Sequence, residues 1–266
     1  MVKMLSFNQV LCGNCVDLMF EIPDNTIDLT ITSPPYDQCR ESKDYRLDIF
    51  DFNSIAAELY RITKQGGIVC WNVNDGVTDG GESGTSFRQV LGFMDIGFKL
   101  WDTMIYAKNS FSFPSKGRYH QTFEYIFILS KDKPNTFNPI KDRKNKYKRT
   151  GGPSGRNQDG SRRTDGGNRP QNEYGMRFNV WNYTIGGGHT TSDKIAYGHP
   201  AIMHEQLCKD LVISWSNEND VVFDPMAGSG TTLKAAKLLN RQYLGCEINS
   251  DYCEICKTRL NTITVA

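Results

Sequence analysis

The stretch "VVFDPMAGSGTTLKAA", Val221 to Ala236, predicts a strand, a glycine-containing loop and a helix in immediate succession. The β-branched run ends at Asp224, and a threonine after Gly230 is a suitable cap for the helix. Gly228 and Gly230 would let the backbone approach a ligand, and the start of a helix offers free N–H groups. A dinucleotide site would have a third glycine, and a phosphate loop would have a lysine after the last one. The acidic Asp224 therefore favours a ligand that carries a positive charge or hydroxyl groups.

A second acidic residue follows one strand later. The segment "YLGCEI" brings Glu247 to the end of a predicted strand, where a carboxylate can accept hydrogen bonds from both hydroxyls of a ribose. A nucleoside with a positive centre and without phosphates suits the glycine loop and both acids. These residues together predict S-adenosylmethionine as the ligand.

Strands and helices alternate along most of the chain. The predicted strands that define this alternation are "IDLTI" (27–31), "IVCWNV" (68–73), "DVVFD" (220–224) and "QYLGCEI" (242–248). A helix is predicted from Phe52 to the glycine pair Gly66-Gly67, and "KLWDTMIYAK" and "FEYIFILSK" are two further strands that should pair near an edge. This alternation predicts an α/β fold with a mostly parallel central sheet and helices on both faces.

Length and composition are those of an ordinary globular chain. A chain of 266 residues suits one large domain or one domain with a substantial insertion. The sequence has no long apolar run and no secretory signal at its start, so we expect no membrane segment and a cytoplasmic location, with the eight cysteines as thiols. The pairs Cys12/Cys15 and Cys253/Cys256 lie at opposite ends of the chain, which favours core cysteines, and no metal site is predicted.

One segment has a different composition. The stretch from Lys141 to Arg169 contains ten lysines and arginines and three aspartates. Its other residues are mostly Gly, Asn, Ser and Pro, with few aliphatic ones. Such a segment cannot bury a core of its own. Composition leaves two interpretations level: a solvated flexible loop, or a basic arm that becomes ordered on a polyanion.

The segment "TSPPY", Thr32 to Tyr36, follows the strand "IDLTI". Pro34 cannot donate to a ladder of strand hydrogen bonds, so the strand must end there. Taken alone, the segment is equally well a proline-rich turn that closes a strand and a functional motif.

Four segments together resemble the amino-methyltransferases of DNA: "TSPPY", "DPMAGSGTT", "YLGCEI" and "HPAIMHEQL" (His199 to Leu207). Their order, with the SPPY block before the cofactor block and a basic segment between them, is similar to the β group of this family. The resemblance implies a Rossmann-like methyltransferase fold with a permuted motif order. It also implies a catalytic and cofactor-binding domain at 1–140 and 181–266, with 141–180 as an inserted target-recognition segment.

The resemblance implies direct methyl transfer from S-adenosylmethionine to an exocyclic amino group of a flipped base in duplex DNA. The amino nitrogen is a poor nucleophile, and Ser33 Oγ and the Pro34 carbonyl could accept its hydrogens while the prolines hold the backbone extended. Tyr36 could stack on the flipped base. Carbon-5 methylation of cytosine typically requires a Pro-Cys pair, which the sequence lacks. In this family "SPPY" usually accompanies N4-cytosine methylation, so cytosine is expected before adenine.

Site residues carry over from the family motifs one by one. The catalytic residues are Ser33, Pro34, Pro35 and Tyr36. The cofactor-binding residues are Asp224, Met226, Gly228, Ser229, Gly230, Thr231, Glu247, Asn14, His199 and Met203. The DNA-binding residues are Arg40, Lys43 and Arg46 after the catalytic motif and Arg156, Arg162, Arg163 and Arg169 in the basic segment. Two positions depart from the family: Met226 stands where an aromatic residue is common, and Asn14 stands where an aspartate is common.

Double-stranded DNA is the expected partner, and the sequence leaves open a separately acting restriction endonuclease and a homodimer. N6-adenine methylation of DNA is the main alternative activity. A methyltransferase that acts on RNA or protein is a second alternative, which the permuted order and the basic insertion disfavour. A catalytically silent protein that binds DNA or senses the cofactor is a third, and the presence of Ser33, Tyr36, Asp224 and Glu247 argues against it.

Overall fold

The computed structural model describes residues 6–36, 50–111, 117–145, 156–162 and 172–263. The chain divides into two compact units, one formed by Met1–Asn138 with Asn179–Ala266 and the other by Pro139–Phe178. None of the described helices is long and apolar enough to cross a membrane. The seven cysteines within the described residues are free thiols.

Strands and helices alternate in the order that the sequence predicts. The strands are β1 (Gln9–Cys12), β2 (Ile27–Thr32), β3 (Thr63–Val73), β4 (Val77–Thr78), β5 (Gly81–Glu82), β6 (Lys99–Lys108), β7 (Phe123–Ser130), β8 (Arg143–Lys144), β9 (Tyr174–Gly175), β10 (Val180–Tyr183), β11 (Val221–Asp224) and β12 (Gln242–Glu247). The α-helices are α1 (Cys15–Met19), α2 (Phe52–Ile62), α3 (Thr85–Ile96), α4 (Glu205–Trp215), α5 (Thr231–Leu238) and α6 (Ser250–Asn261), and a 3₁₀ helix spans Lys194–Gly198.

The first unit is built on an eight-stranded sheet in the order β1-β12-β11-β2-β3-β7-β6-β10. Strand β7 runs antiparallel to β3 and β6, and the remaining neighbours in this sheet are parallel. This arrangement confirms the predicted α/β fold with a mostly parallel sheet, and it confirms the pairing of β6 with β7.

The sheet is covered on both faces. Along β3, Val69, Trp71 and Val73 pack in one core cluster with residues of α1, α2 and α3. The alternate residues Ile68 and Cys70 point to the opposite face and are buried as well. Strands buried on both faces are typical of parallel sheets that carry helices on each side.

Helix α2 ends earlier than the sequence predicts. It stops at Ile62 rather than at the glycine pair, and the hydroxyl of Thr63 donates to the Leu59 carbonyl at 2.6 Å. Gly66 and Gly67 lie within β3, where Gly66 has a φ of 75° and the pairing with β2 shifts register. The glycines therefore serve an irregular strand start and not a helix end. Strands β1 and β10 and the short helix α1 were not predicted.

The described part of the second unit is held by short local contacts. Strands β8 and β9 pair antiparallel, and the Arg143 guanidinium lies over the Phe178 ring at 4.5 Å. A second bridge joins Arg156 and Arg162, both of which are exposed. Most described residues here are exposed, in keeping with a segment that has few aliphatic side chains.

Candidate active site

A cavity of about 680 Å³ lies where the parallel strands β1, β2, β11 and β12 end, within the first unit. Ligands of open α/β sheets bind at this edge, outside the carboxyl ends of the strands. The cavity brings together residues that the sequence analysis assigned to catalysis and to the cofactor: Ser33, Pro34, Pro35, Tyr36, Asn14, His199, Met203, Asp224, Met226, Gly228, Ser229, Thr231 and Glu247. Gly230 is the one cofactor-assigned residue that does not line it.

Ser33 and Tyr36 are joined by their hydroxyls. Ser33 Oγ donates to Tyr36 Oη at 3.0 Å, and Tyr36 Oη donates to Glu124 Oε2 at 2.8 Å. Burial, then the nearby Glu124 carboxylate, raises the pKa of Tyr36 well above its usual value. The Tyr36 hydroxyl therefore stays protonated and points away from bulk solvent, while Tyr36 lines the cavity.

Three polar residues around the Tyr36 hydroxyl were not predicted from the sequence. They are Asn72 at the end of β3, Lys108 at the end of β6 and Glu124 near the start of β7. The amide Nδ2 of Asn72 lies 2.5 Å from Tyr36 Oη and 2.6 Å from Glu124 Oε2. Lys108 Nζ lies 2.5 Å from the other carboxylate oxygen of Glu124. The available signal was a glutamate within the otherwise apolar strand "FEYIFILSK", since a partly buried carboxylate requires partners.

Asp224 is buried at the end of β11. Its Oδ1 accepts hydrogen bonds from the Thr32 hydroxyl at 2.8 Å and from the Met226 backbone N–H at 3.1 Å. Burial raises the pKa of Asp224 to about 6, although the Thr32 hydrogen bond opposes this shift. A carboxylate whose burial is only partly compensated is well suited to a positively charged ligand.

Glu247 fixes the glycine loop from the end of β12. Its Oε2 accepts from the Gly228 backbone N–H at 2.7 Å, and its Oε1 accepts from the Asn249 N–H at 2.9 Å. Burial raises the pKa of Glu247, and these two hydrogen bonds oppose the rise. Each carboxylate oxygen accepts about two hydrogen bonds. Backbone N–H groups, including that of Ile248, therefore use most of the roughly four acceptor positions of this carboxylate, and at least one is left.

The two loop glycines are required for different reasons. Gly228 has a φ of 51°, and a β-carbon there would lie 2.9 Å from His199 Nε2, so the imidazole packs directly against the loop. Gly230 has a φ of 80°, and a β-carbon there would overlap Cys256 Sγ on α6. Gly230 thus allows the loop to pack on α6 and does not itself face the cavity.

A buried arginine donates hydrogen bonds to the glycine loop. Arg259 on α6 is fully buried, and its guanidinium donates to the Ser229 carbonyl and, at 3.1 Å, to the Ser229 hydroxyl. The same guanidinium pairs with Asp193 at 2.8 Å and Glu205 at 2.9 Å. A charge that is buried without such partners is strongly destabilising. The arginine therefore couples the loop to α4 and to the 3₁₀ helix.

The remaining cofactor-assigned side chains are partly committed to local structure. Asn14 caps α1, because its Oδ1 accepts from the Val16 N–H at 2.8 Å. Its amide nitrogen takes no part in this cap. Met203 contacts Cys208, with their sulfur atoms 3.0 Å apart. Met226 packs against the hydrophobic core while its backbone holds Asp224.

Of the residues assigned to DNA, Arg156 and Arg162 are exposed in the second unit. Arg40, Lys43, Arg46, Arg163 and Arg169 lie outside the described residues. No group of three or more His, Cys, Asp or Glu side chains suited to a metal ion occurs within the described part of the chain.

Comparison with known proteins identifies relatives across nearly the whole chain. The model of the N6/N4 DNA methylase family matches residues 27–258. The chain is 50% identical to the orphan methyltransferase M.BamHII of Bacillus amyloliquefaciens, over 92% of each protein. It is 26% identical to the DNA adenine methyltransferase YhdJ of Escherichia coli, over 95% of this chain and 82% of that protein.

Solved structures share the fold at lower identity. The PvuII DNA methyltransferase, described as cytosine-N4-specific, superposes with a TM-score of 0.70 at 18% identity, over 97% of this chain and 92% of that chain. A protein of Thermus thermophilus, solved in complex with S-adenosylmethionine, superposes with a TM-score of 0.60 at 22% identity, over 95% of this chain and 94% of that chain.

Proposed function

The chain belongs to the N6/N4 DNA methylase family and is therefore an S-adenosylmethionine-dependent DNA methyltransferase, and we propose that it methylates the exocyclic N4 amino group of cytosine in duplex DNA. The observation that carries the proposal is one cavity lined both by Ser33 and Tyr36 and by Asp224 and Glu247. The first pair suits an amino group on a flipped base, and the second pair suits a cationic nucleoside. Methyl transfer requires both ligands in one place.

The cavity fits S-adenosylmethionine by size and by chemistry. Its volume of about 680 Å³ lies within the roughly 300–1,000 Å³ of small-molecule sites. When bound, the cofactor supplies an electrophilic methyl group on a positively charged sulfur. We assign its binding to Asp224, Glu247, Asn14, His199, Met203, Met226, Gly228, Ser229 and Thr231, with Gly230 shaping the loop. Glu247 would accept from a ribose hydroxyl through the acceptor capacity that its backbone N–H partners leave.

Ser33 and Pro34 would prepare the amino group. The lone pair of an exocyclic amino nitrogen is delocalised into the ring, and two acceptors on its hydrogens favour a tetrahedral nitrogen whose lone pair is available. Ser33 Oγ and the Pro34 carbonyl are these acceptors, and Pro35 limits the freedom of the backbone between them. Stacking on Tyr36 would contribute about 1–3 kcal/mol, which is comparable to the few kcal/mol that flipping a base costs.

Serine in the motif favours cytosine, and the PvuII enzyme, which shares the fold, is described as cytosine-N4-specific. The alternative is N6 methylation of adenine. A relative is named a DNA adenine methyltransferase, and a serine hydroxyl can accept from the amino group of either base.

We further propose that residues 141–180 recognise the target sequence, with arginines that contact phosphates and base edges. The predicted cytoplasmic location suits such a substrate. The relative from B. amyloliquefaciens is named an orphan methyltransferase, which favours an enzyme without a cognate endonuclease.

Sequencing of genomic DNA with modified-base detection tests the proposal, after expression in a host that lacks its own DNA methylation. We expect N4-methylcytosine within one short sequence context, at a strongly reduced level in cells that express Ser33→Ala. N6-methyladenine in such a context would establish the alternative activity. DNA without any modification, from cells that contain the folded protein, would contradict the proposal and favour a silent DNA-binding protein.

A further inference from the structure

The hydrogen bonds around Tyr36 have a direction that their chemistry fixes. An ionised carboxylate only accepts hydrogen bonds, so the Tyr36 hydroxyl must donate to Glu124 across their 2.8 Å contact. Having given its one hydrogen to Glu124, Tyr36 Oη can only accept from Ser33 at 3.0 Å. The Ser33 hydrogen therefore points toward Tyr36. The lone pairs of Ser33 Oγ are left for the hydrogens of a ligand.

Glu124, at the end of this series of hydrogen bonds, makes two further polar contacts. Lys108 Nζ contacts one oxygen of Glu124 at 2.5 Å, and Asn72 Nδ2 contacts the other at 2.6 Å. Asn72 also donates to Tyr36 Oη at 2.5 Å, so a single amide sets the spacing between the phenol and the carboxylate. The pairing of β3 with β7 brings Asn72 opposite Ile126, two residues from Glu124.

The hydroxyl of Tyr36 has no part in stacking on a base, because a phenylalanine would present the same ring face. Burying a phenolic hydroxyl costs free energy unless partners satisfy it. Here the hydroxyl is buried and makes contacts with Ser33, Asn72 and Glu124. A serine hydroxyl, a tyrosine hydroxyl and a carboxylate that are hydrogen-bonded one to the next can also form a proton-transfer path.

We propose that Ser33 Oγ, Tyr36 Oη and Glu124 Oε2 form a proton relay that takes up the hydrogen lost by the target amino group, with Glu124 as the final acceptor. The relay rests on the proposed methyl transfer to an amino nitrogen. In this relay Ser33 contacts the substrate, whereas Glu124 acts through Tyr36 and Ser33 and is a positioning residue that also receives the proton.

The relay balances atoms and charge. The target nitrogen bonds to the methyl carbon as that carbon's bond to sulfur breaks, with its electron pair left on sulfur. Positive charge develops on the nitrogen, and one proton leaves it in the same step. Ser33 Oγ takes this proton and passes its own hydrogen to Tyr36 Oη, which passes its hydrogen to Glu124 Oε2. The carboxylate becomes a neutral carboxyl group. It later releases the proton to solvent, and one proton is released for each methyl group transferred.

The Glu124→Gln variant separates proton uptake from mere orientation. A glutamine carbonyl can still accept the Tyr36 hydrogen bond, but a neutral amide cannot take up the proton. General base catalysis is worth roughly 10²–10⁴-fold, so the single-turnover methylation rate should fall by at least about 100-fold. Tyr36→Phe keeps the aromatic ring but removes the hydroxyl that links Ser33 to Glu124, and it should lower the methylation rate by a similar factor. The double variant should be no slower than either single variant, since residues that act as one unit are not additive.

Two measurements other than activity accompany these rates. Cofactor affinity by calorimetry and the fluorescence of 2-aminopurine beside the target base should match wild type in Glu124→Gln and Tyr36→Phe. Tyr125→Phe is the matched control, because it removes a phenolic hydroxyl from the residue next to Glu124, on the opposite face of β7, and should methylate at the wild-type rate.

A Glu124→Gln rate near that of wild type would overturn the relay while the proposed function stands. Additive losses of methylation rate in the double variant would also overturn the relay. So would rate losses that accompany a weaker 2-aminopurine signal, since Glu124 would then only hold Tyr36 in place. A folded wild-type protein without methyl transfer would overturn the relay and the proposed function together.

Discussion

The Thr32 hydroxyl donates a hydrogen bond of 2.8 Å to the Asp224 carboxylate. This contact joins the ends of the neighbouring strands β2 and β11, one of which leads into the SPPY motif and the other into the glycine loop. Residues that are 192 positions apart in sequence thereby connect the SPPY motif and the glycine loop, which line one cavity.

The affinity for S-adenosylmethionine should depend on pH through Asp224. Burial raises the pKa of this carboxyl to about 6, so it becomes protonated as the pH falls through that value and no longer attracts a cation. By proton linkage, affinity should then fall by up to about tenfold for each further pH unit. Thr32→Val removes a hydrogen bond that favours the ionised form, so the fall should begin at higher pH. Calorimetric titration across this range measures both effects.

Asp224→Asn is the control for this pH dependence. It should bind the cofactor weakly with an affinity that changes much less across the same range. Glu247 faces the same cavity, and burial raises its pKa as well, so Glu247→Gln should weaken binding but retain the dependence that arises from Asp224. A wild-type pH profile in Asp224→Asn would contradict the assignment.

Gly230→Ala should destabilise the fold instead of selectively blocking the cofactor. The left-handed backbone at this position costs a non-glycine residue about 1–3 kcal/mol, and the added methyl group would overlap Cys256 Sγ. The loss of unfolding free energy in urea should be smaller when Gly230→Ala is introduced into a Cys256→Ala background. Equal losses in both backgrounds would show that the contact with α6 is not the cause.

Arg259→Met should lower both stability and cofactor affinity. It leaves Asp193 and Glu205 without their arginine partner and frees the Ser229 carbonyl. Lys234 still pairs with both carboxylates, so the loss of unfolding free energy should stay below the about 3–5 kcal/mol of a buried charge left without a partner. Urea unfolding and calorimetry measure the two effects. Lys257→Met, on the same helix but exposed and paired with Glu254, is the matched control and should change neither. An Arg259→Met protein with wild-type affinity would argue against support of the loop.

Single alanine changes in the basic segment should separate into two classes. A residue that contacts phosphate should lower affinity evenly across DNA sequences and reduce the salt dependence of binding. A residue that reads a base should relax specificity at one position, at about 1–3 kcal/mol. Arg156→Ala and Arg162→Ala can be compared with Lys99→Ala, which removes an exposed cation from the first unit. Deletion of 151–170 should abolish selective methylation and preserve cofactor binding. Normal site selection after this deletion would show that the segment is only a linker.

Periodicity and motif order predict the parallel sheet and most of the cavity, because each strand end and glycine turn is a local feature of the chain. The predicted end of α2 at the glycine pair was wrong. The Thr63 hydrogen bond and the pairing of β3 with β2 end the helix earlier, before the glycines. These are tertiary effects, which no short window of sequence contains.

The partners of Tyr36 could not be predicted for the same reason. Glu124 lies 88 positions from Tyr36, and it reaches the motif only because β7 inserts antiparallel between β3 and β6. Lys108 joins the same cluster from the end of β6. A glutamate in an apolar strand indicates that a partner exists, but the pairing of the strands decides which partner it is.

The measurement that tests the central claim most directly is the identity of the methylated nucleoside. Duplex DNA from a methylation-free host is incubated with the pure protein and isotopically labelled S-adenosylmethionine, then digested and separated by mass spectrometry. We predict labelled N4-methyldeoxycytidine from the wild-type protein. The Ser33→Ala variant should give a rate lower by at least about 100-fold, at unchanged affinity for DNA and cofactor. Labelled N6-methyldeoxyadenosine, or a Ser33→Ala rate close to that of wild type, would contradict the account.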